Sequence, residues 1–409
     1  MRALIFDAVR SPRGRGKAGG GLSTLRPVEL GSLPLKALMK RNSLKGFEID
    51  DVIYGCVTAI NEQGGNVAKA CALEARLPDS VPGVTVNRFC GSGLEAVNQA
   101  AARVKAGQEM LMIAGGVESM SHVPIGADGG AWSCDPKLAS QTYFVPQGIS
   151  ADLIATLGQM DRKMCDGFAV ESQARAARAI AENRFKYSIV PVFDEMSHLL
   201  LADDEFPRPD TTLESLAQLK ASFAGIGEEP GFDDIVLQKF PQLERVDHFH
   251  HAGNSSGIVD GSAAVLIGNE DAAKKFGLQA RGEILSWAVV STDPTLMLTG
   301  PAPAAKEALR RANLTVADID LFEVNEAFAS VVLRFMRELE VPHEKVNVNG
   351  GAIALGHPLG ATGAILLGTI LDELERQNKT YGLVTLCIGG GMGIATIIQR
   401  LEGQRSERA

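Results

Sequence analysis

Three residues stand where nucleophilic and proton-transfer chemistry would want them: Cys90, His357 and Cys387. Cys90 follows the apolar run VTVN and leads into Gly91-Ser92-Gly93 and the helical pattern LEAVNQAAARVKAG. A thiol there lies at a helix N-terminus, where the macrodipole and free N–H groups favour thiolate. The glycines after it permit a sharp turn that exposes the sulfur. The same position also suits a buried, inert cysteine. His357 lies in Gly-His-Pro-Leu-Gly, a turn that makes a poor core position. Its imidazole is either a base or a turn histidine with a satisfied ring. Cys387 ends the run LVTLC and enters Ile-Gly-Gly-Gly-Met-Gly. The C-terminal end of a strand, followed by free backbone N–H groups, is where α/β folds place ligands and catalysts; the bland reading is a strand-end thiol. Asn325 leaves the run IDLFEV, either as a site group or as a helix N-cap.

The elements that would position these residues occur twice. Pro27 opens the helical pattern VELGSLPLKALMKR, followed by Asp51 and the apolar run VIYGCV. Pro303 opens AAKEALRRA, followed by Asp318 and IDLFEV, and Pro in the first helical turn fits both starts. VTVN then leads to Cys90, a helix and the strand MLMIAGG, as VNVN leads to His357, a helix and the strand YGLVTLCIGGG. Asp51 to Cys90 and Asp318 to His357 are both 39 residues. Helices alternating with short apolar runs predict parallel strands covered on both faces. The duplication predicts two stacked α/β halves, residues 1–120 plus 252–276 and residues 279–401, whose glycine-rich corners face one site. Residues 121–251 fit neither repeat and read as a large inserted loop domain, a place where function concentrates.

Composition excludes several classes. The chain has 409 residues and a net charge of −9, with no basic footprint for nucleic acid. Six cysteines form no C-x-x-C pair, and a chain this long needs no disulfide staples, so a reducing, cytoplasmic setting is expected. The opening MRALIFDAVR reads as a strand rather than a signal peptide, the closing GQRSERA as no peroxisomal address, and no membrane span is present.

Three motifs compete for attention. Gly91-Ser92-Gly93-Leu94-Glu95-Ala96, with Glu118 beyond the next strand, matches a short dinucleotide fingerprint. That rival leaves Cys90 and the duplicated corner with His357 unexplained. Gly253-Asn254-Ser255-Ser256-Gly257 matches the serine-hydrolase elbow but lacks a strand before it and a helix after it. His248, His250 and His251 lack a matching ligand spacing and read as a solvated loop cluster, so no metal is expected.

Three segments carry a family resemblance: VNRFCGSGL at 86–94, NGGAIALGHPLG at 349–360 and CIGGGMG at 387–393. GGVESMS at 115–121, NEAF at 325–328 and LTGP at 298–301 support them. Over essentially the whole chain the sequence resembles the thiolase family, the acetyl-CoA C-acyltransferases. The resemblance implies a five-layered αβαβα sandwich of two duplicated halves, with an inserted loop domain that helps bind coenzyme A. It implies Cys90 as the acyl-carrying nucleophile, and His357 as the group that takes the thiol proton and helps form an oxyanion hole. That hole is completed by a water on Asn325. Cys387 is implied as acid/base on the acetyl-CoA carbon, with the N–H groups of Cys90 and Gly389 forming a second oxyanion hole. Ser215, Phe223, Ser256, Met297, Ala327 and Phe328 are implied to line the coenzyme A or acyl pocket. Where many members carry a His-Met-Gly segment touching the thioester, this chain has Pro146-Gln147-Gly148.

The activity implied is thiolytic cleavage of 3-ketoacyl-CoA, or the reverse Claisen condensation of two acetyl-CoA, through an acyl-cysteine and with ping-pong kinetics. Coenzyme A is then a substrate, and no cofactor is bound permanently. The family implies a homodimer or homotetramer, with a β-oxidation dehydrogenase or hydratase as a further partner. Two rivals remain: a catalytically silent, CoA-binding scaffold subunit of a β-oxidation complex, and a ketoacyl-synthase-type condensing enzyme. The latter resembles a Cys-His-His pattern, against which Cys387 argues.

Overall fold

The computed structural model describes residues 1–229 and 231–402; the GQRSERA tail and Pro230 lie outside the described residues. Nine main strands run in chain order as β1 (Leu4–Arg10), β2 (Asp51–Gly55), β3 (Gly83–Val86), β4 (Leu111–Glu118), β5 (Val259–Gly268), β6 (Gly282–Ser291), β7 (Leu321–Val324), β8 (Tyr381–Ile388) and β9 (Met392–Arg400). The helices that matter to the site are α1 (Pro27–Arg41), α2 (Val67–Glu74), α3 (Ser92–Lys105), α4 (Gln147–Leu157), α5 (Arg162–Ala181), α6 (Pro301–Ala312), α7 (Ala329–Leu339) and α8 (Leu359–Arg376).

The strand order is β3-β2-β4-β5-β1 followed by β6-β9-β8-β7. The second half mirrors the first, and an isolated bridge from Phe322 to Val346 stands where β3 stands in the first. The halves meet where β1 pairs β6 through Leu4–Glu283 and Ile5–Gly282. The expectation of parallel strands holds for part of the sheet and is corrected for the rest. β2 runs parallel to β3 and β4, and β7 to β8, but β5 and β9 are antiparallel to both of their neighbours. The glycine corner Gly389-Gly390-Gly391 is a direct hairpin between β8 and β9, and a hairpin requires antiparallel strands.

Alternation along the strands builds the layers. On β1, Leu4, Phe6 and Val9 pack outward against α1 and α2, while Ile5 and Ala8 pack inward. A register shift between Ile5 and Asp7 accounts for the change of phase. On β9, Ile394 and Ile398 face the same interior, and Ala395 and Ile397 face α6 and α7. The shared interior is filled by α3 and α8, through Leu94, Val97, Val104, Ile365, Leu367 and Ile370. The result is helix, sheet, helix, sheet, helix: the five-layered αβαβα sandwich.

Close approach of α3 and α8 depends on glycine. A methyl group on Gly363 would collide with the Leu94 backbone, and one on Gly55, Gly93 or Gly116 with the Gly360 carbonyl oxygen. This packing matters for chemistry, because Cys90 and His357 each precede one of these helices by two residues. Among the described residues no helix is long and apolar enough to cross a membrane.

Candidate active site

The turn carrying Cys90 is built from its neighbours. Phe89 adopts φ 44°, and its N–H donates to Asn87 Oδ1 at 2.9 Å while Asn87 Nδ2 holds the Val57 carbonyl at 2.9 Å. Ser92 Oγ accepts from Arg88 N at 2.9 Å and donates to the Phe89 carbonyl at 2.6 Å. A left-handed non-glycine residue is strained, and here side-chain hydrogen bonds hold it. Cys90 is 5 % exposed. Burial pushes its thiol up to about 11, against the N–H of Gly389, its own N–H and the Gln147 side chain, which favour the thiolate. The helix-end argument for a ready thiolate is therefore corrected: desolvation outweighs the dipole, and the sulfur rests as thiol.

His357 is 3 % exposed, which corrects its reading as a poor core position. Its turn is buried because α8 packs into the central layer. Nδ1 lies 2.6 Å from Thr362 Oγ1, whose own hydrogen goes to the Pro358 carbonyl at 2.8 Å. Nδ1 must therefore carry the ring proton, leaving the Nε2 lone pair free to accept one. Asn325 Nδ2 approaches Nε2 at 3.2 Å, consistent with that tautomer. Burial, and then the positive Arg13, lower the imidazole to about 3. Thiol and imidazole thus both rest neutral.

This tautomer has a direct test. Thr362→Val leaves Nδ1–H without an acceptor and frees the ring to flip its proton. We expect kcat to fall by about 10- to 100-fold, part of what a positioned base contributes, while Thr362→Ser retains most activity. Equal activity in both variants would contradict the assignment.

Cys387 is fully buried at the end of β8. Burial, then the adjacent Cys90, pushes its thiol far up, so it too is held as a proton donor. Asn325 is 1 % exposed and follows β7, its N–H bound to the Thr385 carbonyl of neighbouring β8 at 3.0 Å. It does not cap a helix: α7 begins four residues later, at Ala329. Asn325 Oδ1 has no partner among the described residues. Cys387 and Gly389 lie beside Cys90, His357 lies against Asn325, and Asn325 is held to the strand that ends at Cys387, so the site draws on both halves.

An apolar wall joins Cys387 to Met297, Ala327 and Phe328, with Phe223 packed against it. The Phe223 and Phe328 rings meet edge to face at 6.0 Å. Phe223 also lies on Gly148 so closely that a methyl group there would strike the ring. Ser256 joins through its N–H, 2.9 Å from the Ala327 carbonyl. Ser215 is not drawn into this centre: it is exposed, and its hydroxyl is engaged with Thr212 in the cap of the short helix Leu213–Ala217.

Several residues escaped the sequence reading. The Glu118 carboxylate accepts from Val57 N, Thr58 N, Gly360 N and Gln63 Nε2 at 2.8–3.1 Å. It ties the His357 turn to the first half, so it is occupied and unavailable to a ribose. The reading of the histidines as solvated is also corrected. His250 and His251 are 0 % and 1 % exposed, because Asp152 and Asp166 compensate their burial. His248 bridges Asp152 and Asp233 at 2.9 Å each, His250 Nδ1 meets Asp152 at 2.7 Å, and His251 Nε2 meets Asp166 at 2.8 Å. None of these carboxylates is close in sequence, so no local spacing announced them.

The hydrogen bond to Asp152, against the pull of burial, and the second bond to Asp233 hold His248 up at about 9. A raised histidine contributes stability fully below its unfolded value of about 6.5 and loses it as pH rises through about 9. We expect His248→Gln to cost about 1–3 kcal/mol at neutral pH and nothing further as pH rises through that window. Urea denaturation across it checks this, and parallel curves for variant and wild type would contradict it.

Comparison with known proteins agrees with this geometry. Residues 3–228 match the family model "Thiolase, N-terminal domain" and residues 278–400 match "Thiolase, C-terminal domain". A 3-ketoacyl-CoA thiolase of Serratia proteamaculans is 42 % identical, covering 97 % of this chain and 99 % of its own. A 3-ketoacyl-CoA thiolase of Citrobacter koseri is 41 % identical, covering 98 % and 99 %. The crystal structure of the Bacillus anthracis acetyl-CoA acetyltransferase superposes with a TM-score of 0.83 at 33 % identity, covering 98 % of this chain and 99 % of that one. Duplicated sheets, glycine-packed central helices and two thiols at one centre converge with these matches on one conclusion: the chain belongs to the thiolase family.

Proposed function

We propose that the protein is an acyl-CoA C-acyltransferase that cleaves 3-ketoacyl-CoA with coenzyme A through an acyl-cysteine on Cys90. The observation that carries this reading is the pair of buried thiols, Cys90 and Cys387, with a buried His357 whose ring proton sits on Nδ1 and whose Nε2 faces the Asn325 amide. A two-step acyl transfer with carbon protonation needs these groups: a nucleophile that also leaves well, a base for its proton, and a separate acid for the carbon.

Cys90 Sγ attacks the C3 ketone as its proton passes to His357 Nε2. The oxyanion takes hydrogen bonds from the N–H groups of Cys90 and Gly389, each donor worth on the order of 3 kcal/mol. The C2–C3 bond then breaks, and its electron pair moves to C2, giving the enolate of acetyl-CoA. Its oxygen faces His357 Nε2–H and a water on Asn325. Cys387 gives its proton to C2, and acetyl-CoA leaves. Incoming coenzyme A returns a proton to Cys387, and its thiolate attacks the acyl-cysteine carbonyl. The C–S bond to Cys90 breaks, and His357 reprotonates the departing sulfur. No atom or electron is left over, and the same steps in reverse condense two acetyl-CoA.

On this reading Phe223, Ser256, Met297, Ala327 and Phe328 line the path of the acyl group and the pantetheine arm, with Ser215 at its outer end. Residues 1–120 with 252–276 and residues 279–401 are the two halves, and 121–251 is the insertion that holds coenzyme A and contacts other subunits. Acyl-CoA and coenzyme A enter as substrates without a permanently bound cofactor. A homodimer or homotetramer in the cytoplasm, working beside a β-oxidation dehydrogenase or hydratase, completes the proposal.

Initial-rate kinetics with 3-ketoacyl-CoA and coenzyme A test it. Parallel double-reciprocal lines are expected, since acetyl-CoA leaves before coenzyme A binds. Intersecting lines would argue for direct transfer without an acyl-enzyme.

A further inference from the structure

The Cys90 sulfur has one neighbour the reaction above does not use. Gln147 opens α4, and its side chain reaches the surroundings of the Cys90 sulfur, where it favours the charged form alongside the N–H groups of Gly389 and Cys90. Its position is fixed from several sides. Ser150 Oγ donates to the Thr295 carbonyl at 2.7 Å, Ser330 Oγ donates to the Ala151 carbonyl at 3.0 Å, and Phe223 packs on Gly148. Gln147 Nε2 lies 3.5 Å from where a methyl group on Gly389 would stand. That places the amide nitrogen, a donor, at the turn whose N–H also reaches the sulfur.

Resting on the acyl-cysteine reading, we propose that Gln147 is a further catalytic residue: its side-chain amide donates to the Cys90 sulfur and stabilises that sulfur as it leaves the acyl group.

The three donors must divide once Cys90 is acylated. The backbone N–H groups of Cys90 and Gly389 are then needed by the carbonyl oxygen, where negative charge develops during attack by coenzyme A. Neither is free to follow the sulfur. The Gln147 amide belongs to a different element and is not part of that oxyanion hole, so it remains the donor for the sulfur. As the C–S bond breaks, charge returns to a buried sulfur whose thiol is held at about 11, so a donor there lowers the barrier to departure. A thioether has no hydrogen to give, so Gln147→Met keeps much of the side chain and removes the donor. The Gln147 amide therefore serves the leaving group and acts on the coenzyme A half-reaction.

The test uses the full-length protein and Gln147→Met and Gln147→Glu variants, with Cys90 alkylation by iodoacetamide followed by peptide mass. Loss of one donor to a thiolate is expected to raise the thiol by about one pH unit, so alkylation of Cys90 at a fixed pH below its midpoint falls about tenfold. Gln147→Glu, which adds a negative charge, is expected to fall further than Gln147→Met. In rapid-mixing half-reactions, release of the acetyl group from Cys90 to coenzyme A is expected to slow about tenfold in Gln147→Met, and acetylation of Cys90 by acetoacetyl-CoA to slow less. Unchanged alkylation would overturn the proposal. So would an equal fall in both half-reactions with no difference between Met and Glu, the pattern of a disturbed α4. Failure of the acyl-cysteine reading looks different: wild-type protein would take no acetyl group at all, and the role in sulfur departure falls with it even where the alkylation contrast persists.

Discussion

Cys90→Ala is expected to abolish both thiolysis of 3-ketoacyl-CoA and exchange of coenzyme A on simple acyl-CoA, each by about 10⁴-fold or more. On the proposed mechanism both reactions pass through the same sulfur, so neither should survive its loss. The substitution removes one buried atom from a turn held by Asn87 and Ser92 rather than by the sulfur. Thermal stability should therefore change little. A variant that keeps the exchange activity would show that another group carries the acyl chain.

Cys387→Ala is expected to separate what Cys90→Ala removes together. Protonation of C2 belongs to carbon–carbon bond cleavage alone, so thiolysis should fall by about 10²- to 10⁴-fold, the range for a positioned general acid. Acetyl exchange between acetyl-CoA and labelled coenzyme A involves no proton transfer at carbon; Cys387 there only relays the coenzyme A thiol proton, which water can also carry, so exchange should persist to within about tenfold. Proton exchange at C2 of acetyl-CoA, followed by deuterium incorporation from heavy water, should vanish with thiolysis. An equal loss of acyl exchange and carbon chemistry would contradict separate roles for the two thiols.

Much of this arrangement was legible because a duplication writes the same structural problem twice. The equal spacing from Asp51 to Cys90 and from Asp318 to His357 implied that the two landmarks occupy matching corners. In the structure each precedes its central-layer helix by two residues. Strand alternation and apolar runs were enough to indicate sheets covered on both faces. Strand direction was not legible, since β5 pairs with β4 across a long insertion and β9 returns by a hairpin, and neither is a local property. The chemistry of the thiols was misjudged in sign. A helix N-terminus favours thiolate, but a cysteine 5 % exposed loses more solvation than the dipole returns.

The remaining errors share one cause. Glu118, Gln147 and the His248–His251 segment act through partners distant in the chain, 15 residues away for Asp233 and more than 50 for the others. A dinucleotide-like string offered Glu118 a ribose-binding role that was set aside, and its structural role stayed hidden: three backbone N–H groups occupy its carboxylate. The histidines were read as solvated because their sequence neighbours supply no ligands, and the compensating aspartates come from α4, α5 and the segment after Gly231. Insertions hide such contacts, since their side chains answer to a frame assembled elsewhere in the chain.

The central claim is that Cys90 carries the acyl group, and intact-protein mass after mixing with acetoacetyl-CoA tests it most directly. Wild-type protein is expected to gain one acetyl group, located on Cys90 by peptide mapping, and to lose it when coenzyme A is added; Cys90→Ala should gain nothing. An adduct that persists on Cys90→Ala, or the absence of any adduct on wild-type protein shown to bind coenzyme A, would contradict the account.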